Sequence, residues 1–270
     1  MADALSATPK TAMAVGAHPD DIEFMMAGTL LMLRAAGFDI HMWSLANGSC
    51  GTLAHDCAGI IRARYEESLE SAREAGAALH APLVNDLEIL YQPALVARVA
   101  AVLREVRPDI ILLPSPDDYM EDHVNTSRLA VTAAFARGMP NFETSPPVGP
   151  WHGDPVLYHA MPYGLRDGLR RLVRPGMYVD VGGVIGKKRS MLEKHRSQSA
   201  WLDSSQGLGS HAEAMISMCG RVGKMSGRFE YAEGWRRHSH LGFSAEGADP
   251  LARALATACV IDDDYESALG

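Results

Sequence analysis

Val15-Gly16-Ala17-His18-Pro19-Asp20-Asp21 is the stretch on which the reading of this chain turns. The small apolar run before it, residues 11–15, has the composition of a buried β-strand. It stops at Gly16-Ala17, a histidine and two carboxylates follow at once, and a helical pattern begins at about Ile22. Polar side chains at the carboxyl end of a strand, just before a helix, stand where open α/β sheets gather their ligands. Pro19 fixes φ, so the three polar side chains are presented on a stiff corner. Imidazole and carboxylate both ligate divalent metals, and a carboxylate left over beside them can act as a base. Taken alone, the stretch reads equally well as an acidic helix N-terminus set against the helix dipole.

Working outward, strand and helix patterns alternate. Residues 22–36 show helical apolar recurrence closed by Gly37, and 39–45 predict a second strand. Residues 58–75 predict a long charged helix stopped by Gly76. Short strands are expected at 82–84 and 87–90, then a helix at 93–106 with proline at its tolerated first position. Residues 109–114 are a continuous apolar run, the pattern of a parallel strand covered on both faces. The alternation predicts an α/β fold: a doubly wound, mostly parallel Rossmann-like sheet with helices on both faces. After a Pro/Gly-rich loop at 141–153, strands at 155–161 and 177–181 are read as antiparallel additions at a sheet edge. With helices at 186–198 and 211–225 they form a smaller α+β C-terminal addition. One domain over 1–270 is expected, with a Rossmann-like core at 10–140, an extension of the site at 141–243 and a tail at 244–270.

The bounds agree with a globular protein. Of 270 residues, 47% are hydrophobic, enough for a sizeable core. A net charge of -8 argues against a nucleic-acid partner. The four cysteines form no C-x-x-C pair, so neither a zinc ribbon nor a disulfide framework is suggested. The polar start lacks a signal core, and no run approaches the ~18 apolar residues of a membrane span. A soluble cytoplasmic protein is expected, and a homo-oligomer is left open.

A second polar stretch, Ser115-Pro116-Asp117-Asp118-Tyr119-Met120-Glu121-Asp122-His123, follows the apolar run at 109–114 and leads into a helix predicted at 125–137. In a parallel sheet its start shares an edge with the end of the first strand, so His123 can meet His18 and Asp21. Two histidines and one carboxylate leave coordination positions open, as catalytic zinc sites do. Asp117 and Glu121 read as solvated acids. His238-Ser239-His240 has metal-like spacing, but no carboxylate adjoins it, and it reads as surface.

The paired motifs Ala17-His18-Pro19-Asp20-Asp21 and Asp122-His123 resemble the PIG-L/LmbE-like deacetylases. These are zinc-dependent enzymes that remove acetyl from N-acetylglucosaminyl groups in phosphatidylinositol, mycothiol and bacillithiol biosynthesis. Arg64-Tyr65-Glu66-Glu67 is similar to the family's R-x-x-E helix, and Pro108-Asp109-Ile110-Ile111 to the strand before its histidine loop. His195-Arg196-Ser197-Gln198 is similar to its H-x-S-Q stretch, and Tyr231-Ala232-Glu233 to its late A-E. The resemblance implies that His18, Asp21 and His123 bind Zn2+, with Fe2+ as the alternative, and that Asp20 is the general base. It places Arg64 near the substrate and gives Asp86 a sugar hydroxyl to bond. The implied activity removes an acetyl or other acyl group from the amide nitrogen of an N-acetylglucosamine-like sugar, a small-molecule substrate.

The chain departs from the family pattern twice. Ser49 stands where the family often has glutamate, and Met120 where it commonly has a histidine thought to stabilise the oxyanion. A thioether cannot donate a hydrogen bond. Tyr119, His195 and His238 are the candidates for the missing donor. Met120 also supports a second reading, a non-catalytic sugar-binding member of the family. A third is a metal-free nucleotide-sugar binder or glycosyltransferase, although the first strand–helix turn lacks the G-x-G-x-x-G phosphate cradle.

Overall fold

In the computed structural model, which describes residues 10–198, 201 and 211–270, strand β1 (Thr11–Gly16) is buried from Ala12 onward. Its alternate residues serve two cores. Ala12 and Ala14 pack into one hydrophobic cluster, and Met13 and Val15 into a second. A strand buried on both faces needs no polar alternation, which explains the unbroken apolar sequence.

β1 pairs in parallel with β2 (Asp39–Ser44) on one side and, across the order α3 (Cys57–Ala75), β3 (Ala78–His80), α4 (Pro93–Val106), with β4 (Ile110–Leu113) on the other. β3 flanks β2, and β5 (Val156–Ala160) flanks β4, all parallel. Three antiparallel strands complete the sheet: β6 (Met177–Asp180), β7 (Ala232–Arg237) and β8 (Cys259–Ile261). The order among the described residues is β3-β2-β1-β4-β5-β7-β6-β8. The fold is therefore α/β with a mixed sheet, and the mostly parallel sheet expected from sequence holds only for the first five strands. β5 extends the parallel part instead of adding to it antiparallel. The short strand falls at β3, not at 82–84, where Val84 makes only an isolated bridge to Ala46. Residues 87–90 form no strand, and Leu87 has a φ of 64° that extended pairing forbids.

The helical pattern after β1 is split. α1 (Asp21–Met25) ends before Met26, which caps it and also precedes α2 (Ala27–Ala35). The start of α2 is held from far away: Gly28 N and Thr29 N donate to the Glu233 carboxylate of β7 at 2.8 and 2.7 Å. Lys188 of α6 (Ile185–Leu192) pairs with the same buried carboxylate. A Cβ on Gly28 would come within 2.5 Å of Val181 Cγ1, so this approach requires glycine. The late A-E stretch thus serves as an N-terminal cap for α2. α5 (Glu121–Phe135) begins four residues before the predicted 125 and puts His123 on its first turn. α7 (His211–Met225), α8 (Pro250–Leu255) and α9 (Asp263–Ala268) complete the described chain. No helix among the described residues is long and apolar enough to cross a membrane.

β2 and β4 lie on opposite sides of β1, so the strand order reverses there. A crevice opens beyond the carboxyl ends of β1 and β4, the usual ligand position in such sheets.

Candidate metal centre

The corner after β1 is built tightly. A Cβ on Gly16 would stand 3.1 Å from Asp21 Cβ. Asp21 Oδ2 accepts hydrogen bonds from Ala17 N at 2.9 Å and His18 N at 2.8 Å, which fixes its carboxylate under the turn. Asp20 takes the left-handed region with φ 100°, a conformation costly for a residue with a Cβ and common at functional sites. From the other strand end, the first turn of α5 brings His123 against this corner.

Each histidine has one nitrogen facing Asp21 and the other facing a second carboxylate. His18 Nε2 meets Asp122 Oδ2 at 2.9 Å, and its Nδ1 lies 3.7 Å from Asp21 Oδ2. His123 Nδ1 meets Asp118 Oδ1 at 3.1 Å, and its Nε2 lies 3.4 Å from Asp21 Oδ1. One donor atom each from His18, Asp21 and His123 fall within 4.8 Å of one another. Two imidazole nitrogens and a carboxylate oxygen, with a second carboxylate behind each ring, fit a zinc or iron(II) ion with open positions. Asp122 is itself fixed by a hydrogen bond from Leu87 N at 2.8 Å.

Charge without the ion follows this geometry. Burial would lower the His18 pKa, but Asp122 and Asp21 outweigh it and hold it at about 9. Burial acts on His123 in the same direction and is overcome by Asp21 and Asp118, so its pKa is well raised. Burial would raise Asp21, and the two histidines instead bring it well below the usual carboxylate range.

The centre opens into a pocket of about 310 Å³ whose wall includes Asp20, Arg64, Asp86, Tyr119, Met120 and His211. Arg64 is 2% exposed, and its Nε and Nη2 have no hydrogen-bond partner among the described residues. Its guanidinium crosses the loop at Gly48 and Gly51, where added Cβ atoms would come within 2.1 Å of Cδ and 2.9 Å of Nη2. The Asp86 carboxylate accepts from Gly48 N at 2.7 Å and Cys50 N at 2.9 Å, so it shapes this loop as well as facing the pocket. Ser49 Oγ accepts from Asp86 N at 3.1 Å. The departure at 49 therefore has a local structural use.

Of the three candidates for the missing donor, the structure brings one to the pocket. Tyr119 lies at the rim, edge-on to His123 at 5.9 Å between ring centroids. Burial and then the charge of Asp21 push its hydroxyl pKa upward, so it stays a donor. His195 is buried outside the lining, with Nε2 3.0 Å from Glu23 Oε1. Burial would lower its pKa, and the Glu23 charge raises it. His238 is also outside the lining: its Nδ1 lies 2.9 Å from His159 Nε2, across β5 and β7. The expectation that it reaches the site, and the alternative that it is plain surface, both give way to this half-buried pair.

Three groups escaped the sequence reading. Asp122 was visible as the neighbour of His123, but its hold on His18 was not. Asp118 was one acid among several in the loop. Nothing in the sequence marks His211, whose Nε2 lies 3.3 Å from Asp20 Oδ2 while its ring stacks on Phe24 at 4.9 Å.

The family model for PIG-L, described as GlcNAc-PI de-N-acetylase, matches residues 13–134. The diacetylchitobiose deacetylase of Thermococcus kodakarensis is 30% identical over 195 residues, covering 70% of this chain and 70% of its own. The chain belongs to the PIG-L family. A 1D-myo-inositol 2-acetamido-2-deoxy-alpha-D-glucopyranoside deacetylase of Rhodococcus opacus is 27% identical over 237 residues, covering 68% of this chain and 80% of its own. Among solved structures, the conserved protein TT1542 from Thermus thermophilus is similar with a TM-score of 0.69 and 25% identity, over 84% of this chain and 93% of that one. The PIG-L match runs from β1 into α5 and contains His18, Asp20, Asp21, Arg64, Asp86, Asp118, Asp122 and His123. His211 lies outside it.

Proposed function

We propose that this PIG-L protein is a metal-dependent amide hydrolase that removes acetyl, or another small acyl group, from the nitrogen of an N-acetylglucosamine-like sugar. The carrying observation is the convergence of His18, Asp21 and His123, with Asp122 and Asp118 anchoring the outer nitrogens of the two rings. An inert acidic corner has no use for two anchored imidazoles. We read residues 1–270 as one deacetylase domain, since the antiparallel strands complete the sheet that carries the centre.

His18, Asp21 and His123 would hold Zn2+ or Fe2+. When bound, the ion supplies a Lewis acid that polarises an amide carbonyl and lowers the pKa of a water from roughly 15.7 to about 7. Asp20 is the carboxylate left for proton handling, because Asp21 is tied to the backbone of Ala17 and His18. It accepts the water proton as the carbon–oxygen bond forms and returns it to nitrogen as the carbon–nitrogen bond breaks. Arg64 has buried donors without a partner among the described residues, and a sugar oxygen in the pocket would relieve that cost. Asp86 keeps free lone pairs for a hydroxyl donor.

The test is acetate release across N-acetylglucosaminides, chitooligosaccharides and acylated antibiotic sugars, with added zinc. Release from at least one, abolished by a chelator and restored by metal, is expected. Protein that binds one equivalent of zinc yet releases no acid from any of them would leave a sugar-binding function.

A further inference from the structure

We propose that His211, from the first turn of α7, is the positioning residue that holds the Asp20 carboxylate for proton transfer. This rests on the deacetylase reading above and adds a residue from outside the family match to its machinery.

The two adjacent aspartates are held in different ways. Asp21 is fixed by two backbone N–H groups of its own turn. Asp20 is 5% exposed, sits at φ 100°, and makes no side-chain cap to the helix that follows it. Nothing in its own turn orients its carboxylate. Among the described residues its one ion-pair partner is His211, with Nε2 3.3 Å from Oδ2.

His211 is well placed to do this. Its ring is stacked on Phe24 at 4.9 Å with 27° between planes, so its orientation is set by an apolar neighbour within α1. It is buried and lines the same pocket as Asp20. Both of its ring nitrogens are buried without a hydrogen-bond partner among the described residues, and Nε2 stands 3.3 Å from Asp20 Oδ2. An unsatisfied buried polar atom costs about 1–3 kcal/mol. An apolar side chain would pack on Phe24 without that cost, so the imidazole is justified by the carboxylate that its Nε2 faces.

The same residue sets the departure at Met120 in context. Met120 lines the pocket and cannot donate a hydrogen bond. His195 is committed to Glu23 and His238 to His159. His211 instead brings an imidazole to the base itself. An N–H on Nε2 directed at Oδ2 would hold that oxygen and leave Oδ1 for the reacting water. The proton then moves from water to Asp20 and from Asp20 to the departing nitrogen, while His211 orients the carboxylate that carries it.

The test joins a measurement without turnover to one with it. In metal-free protein labelled with 15N on histidine, the side-chain signals of His211 should move on Asp20→Asn, and those of His159 should not. In the zinc-loaded enzyme, His211→Ala should lower kcat by about tenfold or more, with KM and zinc content unchanged. His211→Gln, which keeps an N–H donor, should recover part of that loss. In the Asp20→Asn background His211→Ala should cost less than about twofold, because residues acting as a unit are not additive. Additive losses, or a His211 signal indifferent to Asp20→Asn, would overturn the proposal. If the His211 signal responds but no amide is turned over by the zinc-loaded wild type, the pairing stands and the deacetylase reading is what fails.

Discussion

Two histidine pairs sit near the carboxyl end of the parallel strands, and they differ in their company. His18 and His123 lie 5.6 Å apart between ring centroids, with Asp21 between them and Asp122 and Asp118 outside. His159 and His238 are as close, at 5.1 Å, but among the described residues no carboxylate pairs with either ring. His159 Nδ1 faces Ser127 Oγ and the Pro114 carbonyl, each at 3.1 Å, and its Nε2 is taken up by His238. The consequences are opposite. The first pair is held charged, with His18 at about 9; in the second, burial brings His159 down to about 4. A divalent ion needs negative charge beside its imidazole ligands once their protons are displaced, and among the described residues only the first pair has carboxylates against its rings. Imidazole proximity is common to the two; the carboxylates behind the rings distinguish them.

The largest effect that tests this contrast is loss of the metal. His123→Ala should abolish stoichiometric zinc binding and activity, whereas His238→Ala should keep a full equivalent of zinc. Metal analysis after gel filtration decides it; if His238→Ala also comes out metal-free, the two pairs are not functionally distinct. Next comes the base. Asp20→Asn should retain zinc and lose about two to four orders of magnitude in kcat, the range of general acid–base catalysis. Loss of zinc in that variant would make Asp20 a ligand and reverse the roles of the two aspartates.

Acid stability of the metal-free protein should separate the pairs by sign. The folded pKa of His159, about 4, lies below the ordinary 6.5, so the unfolded chain binds the proton more readily. Its contribution is present above pH 6.5 and is lost as pH falls toward 4, by on the order of 3 kcal/mol. His18 is raised from 6.5 to about 9, so its contribution is full below pH 6.5 and is lost as pH rises toward 9. Urea unfolding across pH with a chelator present should show both limbs. His159→Gln should flatten the acid limb alone; parallel loss in wild type and variant would assign that limb to other groups.

Much of this arrangement is legible in the sequence wherever a local signal is strong. α4 and α7 have the bounds that apolar recurrence predicts, and His18, Asp21 and His123 stand at the two strand ends where the α/β pattern puts them. β7 was not legible. Ala232-Glu233-Gly234-Trp235-Arg236-Arg237 has a glycine, three charges and no β-branched residue, and it is a strand because β5 and β6 pair with it. Glu233 carries a family motif but acts on an α2 terminus more than 200 residues away in the chain, a contact no window can show. His211 is the sharpest case: its neighbours in sequence are unremarkable, and its meaning comes entirely from the approach of α7 to Asp20. Local pattern finds groups on one strand end, and groups that a distant helix delivers stay hidden.

The smallest expected effect is also the finest probe of what the outer carboxylates do. Asp122 holds His18 Nε2 at 2.9 Å and is braced by Leu87 N. Asp122→Asn should lower zinc affinity by about 10–100-fold, the usual cost of removing such a partner, while Ser127→Ala beside His159 should leave it unchanged. The pH dependence separates two ways in which Asp122 acts. With His18 held at about 9, zinc must displace a proton at neutral pH, so wild-type affinity should rise as pH increases toward 9. Without the Asp122 charge His18 gives up that proton more easily, which offsets part of the loss at low pH and none of it at high pH. The ratio of wild-type to Asp122→Asn affinity should therefore widen from pH 6 to pH 9 in competition titrations with a chromophoric chelator. A ratio constant across that range would mean that Asp122 only orients the ring, and that its charge is not what sets the first histidine pair apart from the second.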